Sequence, residues 1–302
     1  MTRQIDADLL RGMPLPPPGE DKDRRGRVLI AGGNRAVPGS ALLAAEAALR
    51  AGAGKLQVAT GSSTAPGLAL CLPEALVLGL SETDSGDLGP EATEALAKAA
   101  KRTDALLLGP GMMDTEAAMA LVKGVLALLD PAAGPALVLD AGALCGHAAL
   151  REALRPHAGR AVLTPHAGEM ATVLDIERAE VEAEPLTTGR RAAALLQQVV
   201  VMKGAQTQVI SPEGTAWTYS GGGPGLATSG SGDVLAGIVT GLLARGAPPI
   251  QAACWAVWLH GEAGAQLARR IGPIGFLARE LAAEVPGLMA GMGEPQDGEH
   301  LR

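Results

Sequence analysis

Apolar runs of strand length alternate along the chain with longer Ala- and Leu-rich stretches in which apolar positions recur at helical spacing. The runs are RVLIAG (27–32), KLQVAT (55–60), DALLLG (104–109), ALVLD (136–140), RAVLT (160–164) and VVVMKG (199–204). Between them, segments such as SALLAAEAALRAG (40–52) and PEATEALAKAAKR (90–102) have the length and pattern of crossover helices. Near-continuous apolar strands belong to a sheet buried on both faces. The pattern therefore predicts an α/β fold of three layers, a mainly parallel central sheet with helices on both faces. Further on, TQVIS and AWTYS flank PEG and predict a hairpin, after which a glycine-rich run leads into two long apolar helices, near 232–245 and 249–269.

No linker-like change of composition divides the chain. A single domain is expected over residues 26–290, preceded by a flexible extension (1–25) that includes the Pro-rich stretch 14–18 and followed by a disordered tail (291–302). Several runs stop at small or polar residues: LIAGGN, LLLGPG, VLDAGAL, VLTPHAGE and VMKGAQT. Ligands of open α/β sheets collect outside the carboxyl ends of the strands, so these endings should meet in one crevice.

Composition narrows the partners. Of the 302 residues, 32 are acidic and 25 basic, for a net charge of -7, and only 2% are aromatic, which argues against nucleic acid. Cys71, Cys145 and Cys254 are odd in number and without CxxC spacing, so neither a disulfide framework nor a thiolate zinc site is expected, and a reducing cytoplasm fits. The N-terminus has no signal-peptide pattern and no run reaches the roughly 20 apolar residues of a membrane span.

The chemistry is concentrated in a few loops. GxxxxGK[ST] is absent, and the GxG at Gly230 and Gly232 neither follows a strand nor continues into a dinucleotide fingerprint. What GLATSGSGDVLAG (225–237) does provide is glycine-rich backbone entering a helix, where Gly230, Ser231 and Gly232 can form an anion hole. Its single carboxylate, Asp233, is either an N-cap of that helix or a reactive group. Lys203, Gly204, Ala205, Gln206 and Thr207 close a strand with a cation and several donors suited to a nucleotide. His166 stands between a strand and a helix, with Glu169 in the first turn. His147, His157 and His300 lack such a setting, and His260, in WAVWLHGEAG, suits a satisfied core or pocket-wall position.

In order over residues 26 to about 285, the motifs GRVLIAGG, PGSALLAAEAALRAGAGK, LLLGPG, LDAGAL, LTPHAGE, VVMKGAQT, GLATSGSGDVLAGIVTGLLARG and WLHGEAG resemble the ADP-dependent NAD(P)H-hydrate dehydratases, a ribokinase-like family that repairs hydrated nicotinamide cofactors. TPHAGE, PGSA and GSGD stand where TPHPGE, PGAA and GTGD are commoner, exchanges that keep size or hydroxyl character. The resemblance implies that Ser40, Ala41, Gly111, His166 and Asp233 line the hydrated-cofactor site, that Lys203 through Thr207 and Gly232 hold ADP (with ATP as an alternative), and that Asp233 meets the reacting hydroxyl. It further implies Mg2+ with unidentified ligands, a homotetramer, and a separate epimerase as functional partner, since only about 25 residues precede the first core strand. A small-molecule kinase of the same fold, of thiazole or pyridoxal type, and a non-catalytic nucleotide sensor are the alternatives. Thiazole kinases tend to carry Cys at the place of Asp233, and a sensor needs no base there.

Overall fold

The computed structural model describes residues 2–293. The chain forms β1 (Thr2–Gln4), α1 (Ala7–Arg11), β2 (Arg27–Ala31), α2 (Gly39–Arg50), β3 (Lys55–Gly61), α3 (Ala65–Cys71), β4 (Ala75–Leu80), α4 (Thr93–Ala100), β5 (Ala105–Leu108) and α5 (Thr115–Leu128). It continues with β6 (Ala136–Leu139), α6 (His147–Leu154), β7 (Ala161–Leu163), α7 (Ala167–Leu174), α8 (Arg178–Ala183), α9 (Pro185–Leu196), β8 (Val199–Met202), β9 (Thr207–Ile210), β10 (Ala216–Tyr219), α10 (Ser231–Ala244), α11 (Pro249–Arg270) and α12 (Ala278–Gly293). All six runs read as strands are strands. β9 and β10 pair antiparallel as the predicted hairpin.

One ten-stranded sheet runs in the order β1-β10-β9-β8-β7-β6-β5-β2-β3-β4. From β8 to β4 every pairing is parallel, and β9 is antiparallel to both its neighbours. Alternate strand residues divide between the two faces, as the pleat requires. Val28, Ile30, Leu107, Val138 and Val162 pack with α2, α10 and α11, while Leu29, Leu106, Leu108, Leu137 and Leu163 pack with α4, α5 and α6. On the first face α2 and α10 lie backbone to backbone. A Cβ on Gly237 or Gly241 would collide with the carbonyls of Ala44 and Ala48, so the Ala and Gly positions set the approach of these helices.

One expectation is corrected. The first 25 residues are not a loose extension: β1 pairs with β10 through its backbone, Leu10 is fully buried, and the Met13, Pro14 and Pro16 carbonyls accept bonds from Trp255, Gln251 and Arg245. A polar TRQ strand gives no apolar pattern, because pairing at an edge uses only main-chain groups. Helix 249–269 matches α11, and its Ala252, Ala253, Trp255, Ala256 and Leu259 lie in the chain's own core. The predicted tail from residue 294 onward lies outside the described residues.

The chain leaves the sheet centre in opposite directions from β2 and β5, which are neighbours. Their ends form the crevice expected at a topological switch point. There the Gly33 N–H donates to the Pro110 carbonyl at 2.7 Å, and Gly32 approaches that carbonyl too closely to allow a Cβ.

Gly237→Val should lower the stability of the fold by about 1–3 kcal/mol or more, because the new side chain must push α2 away from α10. Chemical denaturation of the purified variant measures this, and an unchanged midpoint would contradict the close packing.

Candidate active site

The loops named from the sequence do converge. Lys203, at the end of β8, is held by its backbone N–H to the Pro165 carbonyl (2.8 Å), and its ammonium donates to Asp140 Oδ1 at 2.9 Å. Glu169 Oε2 lies 3.5 Å from the same nitrogen. Asp140 is almost fully buried at the end of β6 and also accepts from the Thr164 hydroxyl at 2.7 Å. Burial works against the Lys203 charge, but Asp140 and Glu169 outweigh it and hold the ammonium above its ordinary range. The backbone is built around this pair: Gly109 (φ 119) passes against the Asp140 carbonyl where no Cβ fits, and Ala141 takes the left-handed φ of 47. Asp140 was not singled out in the sequence, although it opens the quoted LDAGAL.

Asp233 is not the cap of its helix. Gly230, with φ of 87, occupies the N-cap of α10, and no side chain caps it. Asp233 sits in the first turn, partly buried, and its carboxyl is pushed up to about 7 by burial and then by the Asp140 charge. The Ser40 hydroxyl, hydrogen-bonded to it, and Lys203 pull the other way. A carboxyl in that range exchanges protons near neutrality, as a general base should. Of the anion-hole residues, the Ser231 N–H is taken by the Thr228 carbonyl and its hydroxyl lies 2.9 Å from His260 Nε2. The Gly232 and Asp233 N–H groups have no backbone partner among the described residues, and a Cβ on Gly232 would come within 3.3 Å of the Lys203 ammonium. The free donors and the cation thus face one another.

A cavity of about 850 Å³ opens beside them, lined by Lys203, Gly204, Ala205, Thr207, Tyr219, Leu226, Gly232, Leu235, Val257 and His260. Its size and mixed lining suit a nucleotide. Gln206 is exposed and is not part of the wall. Burial, above all, pushes His260 down to about 4, so it is a neutral pocket-wall residue as its sequence setting suggested. Tyr219 donates to Glu262 at 2.9 Å. On the other side of Asp233, Gly111 (φ 67) packs against Ser40 so closely that a Cβ would touch it. Ala41 is fully buried beneath Gly33 and presents no surface, contrary to expectation. His166 caps α7 through Nδ1, which accepts the Gly168 and Glu169 N–H groups (3.0 and 3.2 Å). That leaves Nε2 free at the cavity edge, 3.4 Å from Glu169 Oε1.

Strand order, the glycine-opened helix and the lysine at a strand end together define a ribokinase-like fold whose helix N-terminus opens on the cavity with free N–H groups. A ribokinase-like protein of Enterococcus faecalis superposes with a TM-score of 0.81 at 28% identity over 97% of both chains. A Bacillus subtilis ADP/ATP-dependent NAD(P)H-hydrate dehydratase, co-crystallised with ATP and Mg2+, superposes with 0.79 at 29% identity, covering 96% of this chain and 99% of that one. The family model for NAD(P)H-hydrate dehydratase matches residues 28–287. An ADP-dependent (S)-NAD(P)H-hydrate dehydratase of Xanthomonas campestris is 51% identical over 95% of this chain and 96% of its own length. The chain belongs to the NAD(P)H-hydrate dehydratase family.

The raised Asp233 carboxyl has a consequence for stability. Between its unfolded value of 3.8 and about 7, the folded chain keeps a proton the unfolded chain has lost, so stability falls as pH rises through that window. Asp233→Asn carries no such charge. Its stability relative to the parent should therefore grow from pH 4 to pH 7 and level off above, as thermal melts of both proteins across that range will report.

Proposed function

We propose that the chain dehydrates the S epimer of hydrated NADH and NADPH in an ADP-dependent reaction, restoring the dihydronicotinamide and releasing AMP and phosphate. The observation that carries this reading is Asp233, a base tuned near neutrality between free helix N–H groups and Lys203 on one side and the Ser40–Gly111 crevice on the other.

The substrate bears a hydroxyl on the carbon next to the ring nitrogen, and hydroxide leaves poorly at neutral pH. Asp233 takes the hydroxyl proton as the oxygen attacks the terminal phosphorus of ADP; the new P–O bond forms and AMP departs. The Gly232 and Asp233 N–H groups and Lys203 offset the charge gathering on the transferred phosphoryl group. The ring-nitrogen lone pair then expels phosphate, and loss of a proton from the adjacent carbon restores the ring double bond. Ser40 and Gly111 orient the ring, and His166, which lines the cavity with Lys203 and Gly232, reaches the substrate from that side.

Among the described residues no group of three His, Cys, Asp or Glu side chains is placed to hold a metal. A magnesium ion would therefore arrive with the nucleotide, and Glu169, the less buried of the two carboxylates at Lys203, would be the protein group nearest at hand for it. Such an ion neutralises phosphate charge. No helix among the described residues is long and apolar enough to cross a membrane, and free cysteines suit a reducing cytoplasm. A tetrameric assembly and an epimerase supplied by another chain belong to the same proposal through the family likeness.

ADP with separated S-NADHX should restore NADH absorbance with stoichiometric phosphate, and a stable phosphorylated product would favour a small-molecule kinase instead. Asp233→Asn should lower kcat by about 10²–10⁴ while ADP affinity holds or rises, since a base is lost and a negative charge near the phosphates disappears. Near-normal turnover in that variant removes Asp233 from the chemistry. Lys203→Ala should instead weaken ADP binding by about tenfold or more, read by calorimetry, because it also leaves buried Asp140 without its cation.

A further inference from the structure

Asp87, in the loop between β4 and α4, is 1% exposed and has no ion-pair partner among the described residues. A buried carboxylate without a cation is costly unless its lone pairs are filled. Here they are filled by two other loops. Oδ1 accepts the Met113 N–H at 2.7 Å, and Oδ2 accepts the Asn34 amide at 2.6 Å and the Asp114 N–H at 3.2 Å. Asn34 follows β2, whereas Met113 and Asp114 follow β5, so the carboxylate joins the two sides of the switch point.

Asn34 passes the constraint on. Its side-chain oxygen accepts the Ala36 N–H at 2.7 Å and its carbonyl accepts the Val37 N–H at 3.1 Å, which fixes the turn carrying Val37. The Val37 carbonyl and Ser40 lie against Gly111, and Ser40 is hydrogen-bonded to Asp233. Val37 and Met113 are large apolar side chains left 38% and 61% exposed beside these loops. We infer that Asp87 is a positioning residue: it clamps the two loops so that Val37 and Met113 form an apolar rim beside Gly111 that receives the dihydronicotinamide ring. The inference rests on the reading that this half of the crevice takes the hydrated cofactor.

In Asp87→Asn one acceptor becomes an NH2 group, which meets a donor on either side: the Met113 N–H at one oxygen position, or the Asn34 amide and Asp114 N–H at the other. Fluorescence titration with NADH, calorimetry with ADP, turnover of S-NADHX and thermal melting test the clamp together. The NADH Kd and the KM for S-NADHX should rise about tenfold or more, because loops that orient a substrate have moved, while the ADP Kd stays within about twofold. Met113→Ser, at an exposed position, should weaken NADH binding without altering the melting temperature. Unchanged NADH affinity and KM in Asp87→Asn, or equal losses for NADH and ADP, would each overturn the inference. A parent chain that binds NADH yet leaves S-NADHX and ADP unreacted would overturn the proposed reaction alone, because the NADH titrations still decide the role of Asp87.

Discussion

The Lys203–Asp140 pair is the interaction on which the site depends. It joins the ends of β8 and β6 across the Thr164–Pro165 end of β7, which supplies the Thr164 hydroxyl to the carboxylate and the Pro165 carbonyl to the lysine backbone. The pair sits where water is excluded, so neither member is tolerable alone: removing one leaves an uncompensated buried charge, at a cost of about 3–5 kcal/mol. The surrounding backbone follows from that need. Gly109 has no Cβ because the Asp140 carbonyl occupies its place, and Ala141 accepts a left-handed conformation so that the carboxylate can turn inward. The same lysine then faces Gly232 and, through it, the opening of α10.

How much of this was legible in the sequence depends on the distance over which each feature is determined. Strands β2, β3 and β5 to β8 announce themselves because burial on both faces demands continuous apolar runs. The glycine loop and the Lys203 turn were readable as local sequence, and the ordered motifs supplied their meaning. β4 was not read, although Pro73–Glu74 separates ALVLGL from the apolar GLALCL before it and marks where the strand begins. β1 carries no apolar signal at all. Asp140 was invisible as a partner because 63 residues separate it from Lys203, and only the parallel order of β6, β7 and β8 brings them together. Asp87 is hidden for the same reason: SGDLG looks like any polar turn until Asn34 and Met113 are seen to meet on it.

The charges around Asp233 pose a problem that the protein alone does not solve. Three carboxylates, Asp140, Glu169 and Asp233, surround a single lysine, yet a nucleotide diphosphate must enter beside them. Lys203 is already committed to Asp140 and Glu169, so it has little attraction to spare. The free N–H groups of α10 and the dipole behind them supply part of the compensation, each such effect being about 0.3–1 kcal/mol at an exposed helix end and more where water is excluded. That leaves a divalent cation as the natural carrier of the remaining charge, and it agrees with a donor set too sparse to cage a metal without phosphates.

In the proposed reaction, the charge that arrives with the nucleotide also acts on Asp233. Without ligands its carboxyl already rests near 7, with burial and Asp140 pressing it towards the neutral form and the helix N-terminus, Ser40 and Lys203 opposing them. Phosphates arriving bare would add negative charge within a few ångströms and push the proton on more firmly, so the group would be protonated at the moment it must accept a proton. Phosphates arriving with magnesium bring much less net charge and leave the balance near neutrality. On the proposed reaction, a nucleotide whose charge is offset by a cation leaves this carboxylate freer to accept the hydroxyl proton than a bare polyphosphate would.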